Sequence, residues 1–316
     1  MKLGKLYELA IKLGIDNDPR GRLKVEKVLE KTKKEYAQLK DEDKKNFDLE
    51  SLSNPYPDTR VLNGDKEREI KNVLVGIDIE TPELLLAERM SQKTKIDLAL
   101  SHHPEGFAYA GFYEVMRMQA DILGKFGVPI SVAEGLTLDR MREVERRVMP
   151  ANHLRASDAA KILGIKFMCI HTPADNCVAS YLQHLMELRA PETVGDVLKL
   201  LKSIPEYKFA DANKSGPKII LGDAKRNCGK IFVDMTGGTE GSKEIFPKLA
   251  MAGISTLICM HLSEEHFAKV KSENINVIVA GHISSDNLGL NLLFDAIEKK
   301  GKLNILEISG FRRVKR

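Results

Sequence analysis

Residues 73–104, VLVGIDIETPELLLAERMSQKTKIDLALSHHP, contain a strand, a helix and a second strand in the order that parallel sheets use. The apolar run VLVGIDI (73–79) predicts a buried strand, and IDLALS (96–101) predicts the next one. Between them, TPELLLAERM predicts a helix with Thr81 as its N-cap and Pro82 in its first turn. This strand–helix–strand unit indicates an α/β fold.

The same alternation continues to the end of the chain. Further strands are predicted at 128–134, 166–171, 218–221, 229–235, 254–260, 275–282 and 303–309. Later helices are predicted at 112–125, 136–149, 155–163, 178–188, 193–202, 242–252, 263–273 and near 287–299. We therefore expect an α/β protein with mixed, partly parallel sheets and helical crossovers, in a strand order that the pattern does not specify.

The first 50 residues are more strongly charged than the rest. The segment KVEKVLEKTKKEYAQLKDEDKK (24–45) places apolar residues at helical spacing among lysines and glutamates, which predicts a helix with one buried face. The next segment, SLSNPYPDTR (51–60), holds two prolines and is interpreted as a linker or an irregular stretch. The compact part of the protein is expected to begin near residue 70.

Length and composition exclude several classes of protein. A chain of 316 residues has room for about two domains, and 43% apolar with 30% charged residues excludes a disordered chain. No apolar run approaches the roughly 18–20 residues of a membrane span, and the N-terminus lacks a secretory cleavage site. We therefore expect a cytoplasmic protein without a membrane partner, whose four cysteines (Cys169, Cys177, Cys228 and Cys259) are free thiols.

The positive charge is small and spread along the chain. Lysine and arginine exceed the acidic residues by 49 to 45, and the one dense basic run is FRRVKR (311–316). A short terminal run of this kind is expected to be a solvated tail, which makes nucleic acid an unlikely partner.

Histidines follow three of the predicted strands. His102 and His103 follow the strand at 96–101, His171 follows the strand at 166–170, and His282 follows the strand at 275–281. Asp175 and Asp286 come four residues after His171 and His282, so the spacing H-x-x-x-D occurs twice. Loops beyond the carboxyl ends of strands are where α/β proteins bind ligands. A histidine pair could also be one core and one surface residue, but the three motifs together predict a metal site.

The residue types indicate which metals the site would hold. Imidazole and carboxylate ligands suit zinc, iron or manganese better than magnesium or calcium. Five or six candidate ligands exceed the needs of one tetrahedral zinc, whereas two divalent transition-metal ions that share a carboxylate would use them all. Such a pair of ions typically catalyses hydrolysis.

The segments SHHPEG, HTPAD and AGHISSD resemble the motifs of the Nif-three-like family, the NGG-one-interacting-factor-three proteins also described as GTP cyclohydrolase type-two-like. The resemblance runs from about residue 70 to 300. It implies a two-lobed architecture with helices on both faces of its sheets, two metal ions between the lobes and a homohexamer. The implied division is a helical N-terminal extension at 1–70 and a dinuclear metal-binding unit at 71–316, with lobes at about 71–190 and 191–316.

The same resemblance implies roles for individual residues. The metal ligands would be His102, His103, Asp175, His282 and Asp286. His171 would lie in or beside the site as a proton-transfer group, and a small molecule would be the substrate.

The sequence departs from the family in three places. Asp286 stands where the family usually has a glutamate. Segment 1–70 replaces the shorter N-terminus of the family, and its helices could cap the cleft. His261 stands where the family usually has an acidic residue facing the cleft, so it is either a substrate or proton-relay residue or a surface histidine at the start of a helix.

Three functions are compatible with these motifs. The first is a metal-dependent hydrolase acting on a C–N bond of a nucleotide-like or heterocyclic substrate, and the second is a two-metal phosphoesterase. The third is a non-enzymatic metal-binding or regulatory partner protein. The turn TGGTEGS (236–242) before a predicted helix adds a candidate anion site, although such turns are common in α/β folds.

Overall fold

The computed structural model describes all 316 residues and confirms the predicted α/β class. It contains nine strands: β1 (Arg60–Asn63), β2 (Asn72–Gly76), β3 (Leu98–Ser101), β4 (Phe167–Cys169), β5 (Lys218–Leu221), β6 (Lys230–Asp234), β7 (Ile254–Cys259), β8 (Asn276–Val279) and β9 (Asn304–Glu307).

Helices connect and cover the strands. They are α1 (Leu3–Asp16), α2 (Arg22–Gln38), α3 (Asp41–Lys44), α4 (Thr81–Ser91), α5 (Gly106–Ala110), α6 (Arg117–Phe126), α7 (Ile130–Val148), α8 (Arg155–Leu163), α9 (Thr172–Arg189), α10 (Val194–Ser203), α11 (Pro205–Ala212), α12 (Phe246–Met251), α13 (Glu264–Ser272) and α14 (His282–Glu298). None of them combines the length and apolar character that a membrane crossing requires.

The strands form two mixed sheets. The first has the order β1-β4-β3-β2-β9 and is parallel except for β1, which pairs antiparallel with β4. The second has the order β5-β8-β7-β6 and is parallel except for β5. Because the strands in each parallel core run the same way, their carboxyl ends meet at one edge of each sheet.

The N-terminal segment is part of the main core. Leu3, Leu6 and Ala10 of α1 are fully buried in the same hydrophobic cluster as Val73 and Leu98 of the first sheet. Helix α1 packs against α9 and α14. The division of the chain at residue 70 stays a prediction about domains, but the expectation that compact structure begins there is wrong.

The segment 51–60 is not a linker. Asn54, Tyr56 and Asp58 are buried, and the segment leads directly into β1 at Arg60. The Asn54 side chain accepts from the Tyr56 N–H and donates to the Thr59 carbonyl, so polar turn residues here order a buried loop.

The predicted strand at 128–134 is wrong, because those residues begin helix α7. Its valine and isoleucine suggested a strand, but burial recurs at Ala133, Thr137, Met141, Val144 and Val148, which is helical spacing. Packing of one face of α7 against α6 outweighs the weak strand preference of the β-branched residues.

Smaller corrections concern helix ends and the C-terminus. The N-cap of α4 is Glu80 instead of Thr81, and the predicted helix at 242–252 is a 3-10 turn followed by the short α12. The run FRRVKR is not a solvated tail: Phe311 is buried, and Arg313 pairs with Asp295 and Glu298 of α14.

Candidate metal centre

The carboxyl ends of β3 and β4 in the first sheet face the carboxyl end of β8 in the second. The residues that follow these strands meet in one cleft between the sheets. All five sequence-predicted metal ligands, and His171 with them, belong to three overlapping groups whose ligand atoms lie within 4.8 Å of one another. These groups are His102, His103 and His171; His103, His282 and Asp286; and His102, Asp175 and Asp286.

The histidine pair reaches the site because β3 has already ended at Ser101. The Nδ1 atom of His102 lies 3.0 Å from the Ile170 carbonyl oxygen, so it donates there, and in the neutral imidazole Nε2 carries the lone pair. The Nδ1 atom of His103 lies 2.6 Å from Asp78 Oδ1 in the loop after β2. Each imidazole is therefore oriented through Nδ1 and presents Nε2 to the cleft.

The two H-x-x-x-D motifs lie at the starts of helices. His171 is the N-cap of α9 with Asp175 in its first turn, and His282 begins α14 with Asp286 one turn later. A Cβ on Gly289 of α14 would lie 2.4 Å from the Ala174 carbonyl oxygen of α9, so glycine allows the helices this close contact. The contact brings Asp175 and Asp286 to the same imidazole.

Asp286 lies at the centre of the cluster. Its Oδ1 is 3.5 Å from His102 Nε2, and its Oδ2 is 3.5 Å from His103 Nε2 and 3.7 Å from His282 Nε2. Asp175 Oδ1 lies 3.3 Å from His102 Nε2. One carboxylate thus faces histidines of both sheets, as a bridging ligand would.

Several of these atoms are buried without a hydrogen-bond partner. They are His102 Nε2, Asp175 Oδ1 and both carboxylate oxygens of Asp286. Orphaned buried polar atoms are costly, so such a cluster calls for a ligand. Nitrogen and carboxylate donors in one place match the ligand set of a divalent transition metal.

The electric field of the site also favours a cation. Burial lowers the pKa of His102, but Asp286 and Asp175 outweigh this effect and raise its pKa well above the ordinary value. Burial likewise lowers the pKa of His103, whereas Asp286 and Asp78 raise it to about 9. For Asp286, burial raises the pKa, but the neighbouring His102 and His103 hold it far below its usual range. The carboxylates thus create a strongly negative potential at the imidazoles.

His171 lies within the cluster, close to Asp58, Asp175 and His102. Its Nδ1 lies 2.8 Å from Asp58 Oδ2, and its Nε2 lies 3.6 Å from Asp175 Oδ2. The ring centres of His171 and His102 are 4.9 Å apart. Its role in proton transfer stays a prediction, and the geometry makes it a candidate ligand as well.

His261 lies in the wall of the same cleft. Its ring centre is 5.1 Å from that of His282, and its Nδ1 is 3.3 Å from Glu240 Oε1. This hydrogen bond raises the pKa of His261, and the pKa of Glu240 is lowered to about 2 because its neighbours outweigh the effect of burial. The catalytic role of His261 stays a prediction, with its position in the cleft in its favour.

The glycine-rich turn 236–242 lines the cleft. It does not place a helix N-terminus where an anion could bind. The helix after it, α12, has six residues and starts only at Phe246. Gln119 donates to the carbonyl oxygens of Gly237 and Thr239 and holds the turn from the first lobe. Glu240 of the turn accepts the Ser263 N–H, so a carboxylate of the protein already occupies the start of α13.

The sequence argument missed the carboxylates that orient the histidines. Asp58 lies in the segment interpreted as a linker, and Asp78 follows β2 without any motif around it. The position of Asp78 directly after a buried strand could have identified it as a residue of the site. For Asp58 the sequence carries no comparable signal, because the antiparallel strand β1 brings it to His171.

Comparison with known proteins agrees with this geometry. No protein-family model matches the sequence, and no curated protein matches it significantly. The structure is similar to that of a NIF3 superfamily protein from Sphaerobacter thermophilus, with 27% identity, 80% of this chain and 91% of that chain covered, and a TM-score of 0.70. Reduced HcgD from Methanocaldococcus jannaschii shares 15% identity over 78% of this chain and 87% of its own, with a TM-score of 0.48.

The similarity to the S. thermophilus protein extends over most of both chains. This chain resembles the NIF3 superfamily in fold. Its mixed α/β architecture is the expected one, and its buried histidine–aspartate cluster could hold metal.

Proposed function

We propose that this NIF3-like protein is a dinuclear metal-dependent hydrolase that acts on a C–N bond of a nucleotide-like or heterocyclic small molecule. The observation that carries the proposal is the convergence of four buried ligand atoms without partners, on His102, Asp175 and Asp286. A cytoplasmic location and a homohexameric assembly are further parts of the proposal, and the assembly rests on the sequence resemblance.

The ligand groups divide into two overlapping sites. His102 and Asp175 would hold one ion and His103 and His282 the other, with Asp286 shared between them. Zinc, iron or manganese fits these donors, and two such ions lower the pKa of a bound water and polarise the bond to be hydrolysed.

The protein's own residues orient this centre. Asp58, Asp78 and the Ile170 carbonyl each hold one imidazole through Nδ1, which fixes the tautomer that binds metal through Nε2. His261 forms no hydrogen bond through Nε2, so that atom is free to exchange a proton with a substrate in the cleft.

The lining of the cleft favours a C–N bond over a phosphoester. Its side chains include Asp234, Glu240 and His261 but neither lysine nor arginine, the usual partners of phosphate oxygens. A leaving nitrogen needs a proton, and acidic and imidazole groups can supply it. The phosphoesterase alternative lacks such support from the cleft.

Metal analysis of the purified protein and of three variants tests the proposal. We expect close to two transition-metal ions per chain, and less metal in His102→Ala, Asp175→Ala and His282→Ala. His184→Ala is the matched control, because His184 is exposed on α9 away from the cluster. Metal content that is negligible after reloading, or equal in all variants, would refute the dinuclear site.

Turnover separates an enzyme from a metal-binding partner protein. Given full metal content, we expect His261→Ala to lower hydrolysis of amino-heterocycles and nucleosides in a substrate panel without loss of metal. Metal transfer to another protein with no turnover in the panel would favour the non-enzymatic alternative.

A further inference from the structure

We propose that Asp234 and a small apolar cavity behind it form the leaving-group subsite of the cleft, which takes a short alkylamine. This inference rests on the proposed hydrolysis of a C–N bond. The amine nitrogen would contact the Asp234 carboxyl, and its alkyl arm would lie in the cavity.

Among the acidic residues of the cleft, Asp234 is the one without a partner in the protein. It ends strand β6, and its carboxyl forms no hydrogen bond or ion pair with the protein, whereas Asp175, Glu240 and Asp286 all face histidines. Its side chain is open to the cleft but surrounded by protein, and this desolvation raises its pKa to about 6, partly offset by His261. A carboxyl group in this condition can both bind an amine and hold a proton.

Asp234 and Thr236 line both the metal cleft and a second cavity. The Thr236 hydroxyl donates to Asn176 Oδ1 at 2.6 Å, so it is not free for a ligand. Asp234 therefore stands alone as the free polar side chain that the two spaces share. A group bound to it has the metal ligands on one side and the second cavity on the other.

The second cavity is apolar and small. Its walls include Ile122 and Leu123 of α6, Leu136 of α7, Phe232 of β6 and Leu249 of α12. Its free volume is about 30 Å³, on a scale where one water molecule needs about 10–15 Å³. That volume suits an alkyl group of one to three carbons, and no lysine or arginine lines it to accept an anion.

The reaction balances without an external reductant or oxidant. The C–N bond of an N-alkyl amino-heterocycle breaks, the oxygen of water bonds to the ring carbon, and the leaving nitrogen takes the proton of Asp234. The attacking water gives up a proton, which restores the Asp234 carboxyl. The products are an oxo-heterocycle and a short alkylamine.

Binding of isopropylammonium and methylammonium to the metal-loaded protein, measured by calorimetry, tests the subsite. We expect isopropylammonium to bind about tenfold more tightly, because two additional methyl groups are buried. Asp234→Asn should weaken both by at least tenfold while metal content is unchanged. Leu136→Phe, which fills the cavity from a half-buried position, should remove the preference but keep methylammonium binding. Asp139→Asn, an exposed acid on α7, is the control.

Equal binding of both amines to wild type, or undiminished binding to Asp234→Asn, would overturn the inference. The same titration on His102→Ala separates it from the proposed function. Amine binding that persists there supports the subsite independently of metal. If the wild-type protein holds two metal ions but binds neither amine, the subsite is refuted and the proposed function is unaffected.

Discussion

The chemistry of the cluster depends on what each histidine does with its second nitrogen. His102 uses a main-chain carbonyl, His103 uses Asp78 and His171 uses Asp58, so three different acceptors favour the same Nδ1–H tautomer. The Nε2 atoms are then left to face Asp175 and Asp286. Orientation of this kind usually raises metal affinity, because the ring is held in place and its basicity is increased.

Asp58→Asn tests how the orientation of His171 affects metal binding, because Asp58 accepts the Nδ1–H of His171 although the two residues are far apart in sequence. The Asp58 carboxylate accepts from His171 Nδ1 at 2.8 Å and from Thr172 Oγ1 at 2.6 Å. An amide keeps the shape but loses the charge, so we expect metal affinity to fall about 10–100-fold. Competition against a chromogenic chelator measures it, with the exposed Asp158→Asn as control. Unchanged affinity would mean that His171 does not bind metal.

Asp234→Asn tests the desolvated carboxyl by its effect on stability. Desolvation by the protein around the cleft raises the pKa of Asp234 from 3.8 to about 6, so between these values the folded chain binds more protons than the unfolded chain. Stability attributable to this group is therefore lost as pH rises through that window. We expect Asp234→Asn to melt at a higher temperature than wild type at pH 7.5, with a smaller difference at pH 4.5. A difference that is constant with pH, as expected for Asp139→Asn, would contradict this.

At the scale of elements, two helices supply three of the candidate ligands: Asp175 on α9, and His282 and Asp286 on α14. Both α9 and α14 start directly after a parallel strand, and their contact at Gly289 brings Asp175 and Asp286 together. Helix α1 packs behind them, and no residue of the first 50 lines the cleft. The N-terminal segment therefore supports the site helices and does not cap the cleft.

The C-terminal segment stabilises α14 from its other end. Arg313 is nearly buried and donates to Asp295 Oδ1 at 2.6 Å and Glu298 Oε2 at 2.7 Å. Arg313→Met leaves Asp295 without its partner and Glu298 with only the exposed Lys315, so we expect a loss of about 3 kcal/mol in the free energy of unfolding, measured with urea. Arg312→Met is the matched control, because the Arg312 side chain is 63% exposed. Equal effects of the two variants would contradict the pairing.

At the scale of the molecule, the histidine–aspartate cluster lies between the two sheets. His102, His103 and His171 follow strands of the first sheet, and His282 and Asp286 follow a strand of the second. A bound ion would therefore link both halves of the fold, and binding to the folded state alone stabilises that state.

Removal of metal should lower the melting temperature of the whole protein. Saturation at 100 times the dissociation constant contributes about 2.7 kcal/mol, which corresponds to several degrees. We expect a chelator to lower the melting temperature of wild type and of His184→Ala but not of His102→Ala. Equal shifts in all three would show that the chelator acts elsewhere.

The fold class and the presence of histidines at the ends of strands were predictable from local pattern, whereas the metal-ligand set stays a prediction. Apolar runs separated by helical segments define an α/β chain, and the histidines recur at strand ends, where α/β proteins bind ligands. The strand predicted at 128–134 was wrong, and of the two interpretations of 51–60 the irregular stretch agrees with the structure and the linker does not. The reason is that burial on α7 and around Asp58 comes from residues distant in sequence.

The sequence by itself determined the α/β class, the three histidine motifs and the ligand types, because these depend on periodicity and on residue chemistry. Only the tertiary structure decided the strand order, the orientation of His171 by Asp58, the pairing of Arg313 and the isolation of Asp234 between two cavities. These features depend on contacts between segments tens to hundreds of residues apart, and local sequence carries no signal for which distant segments will pack together.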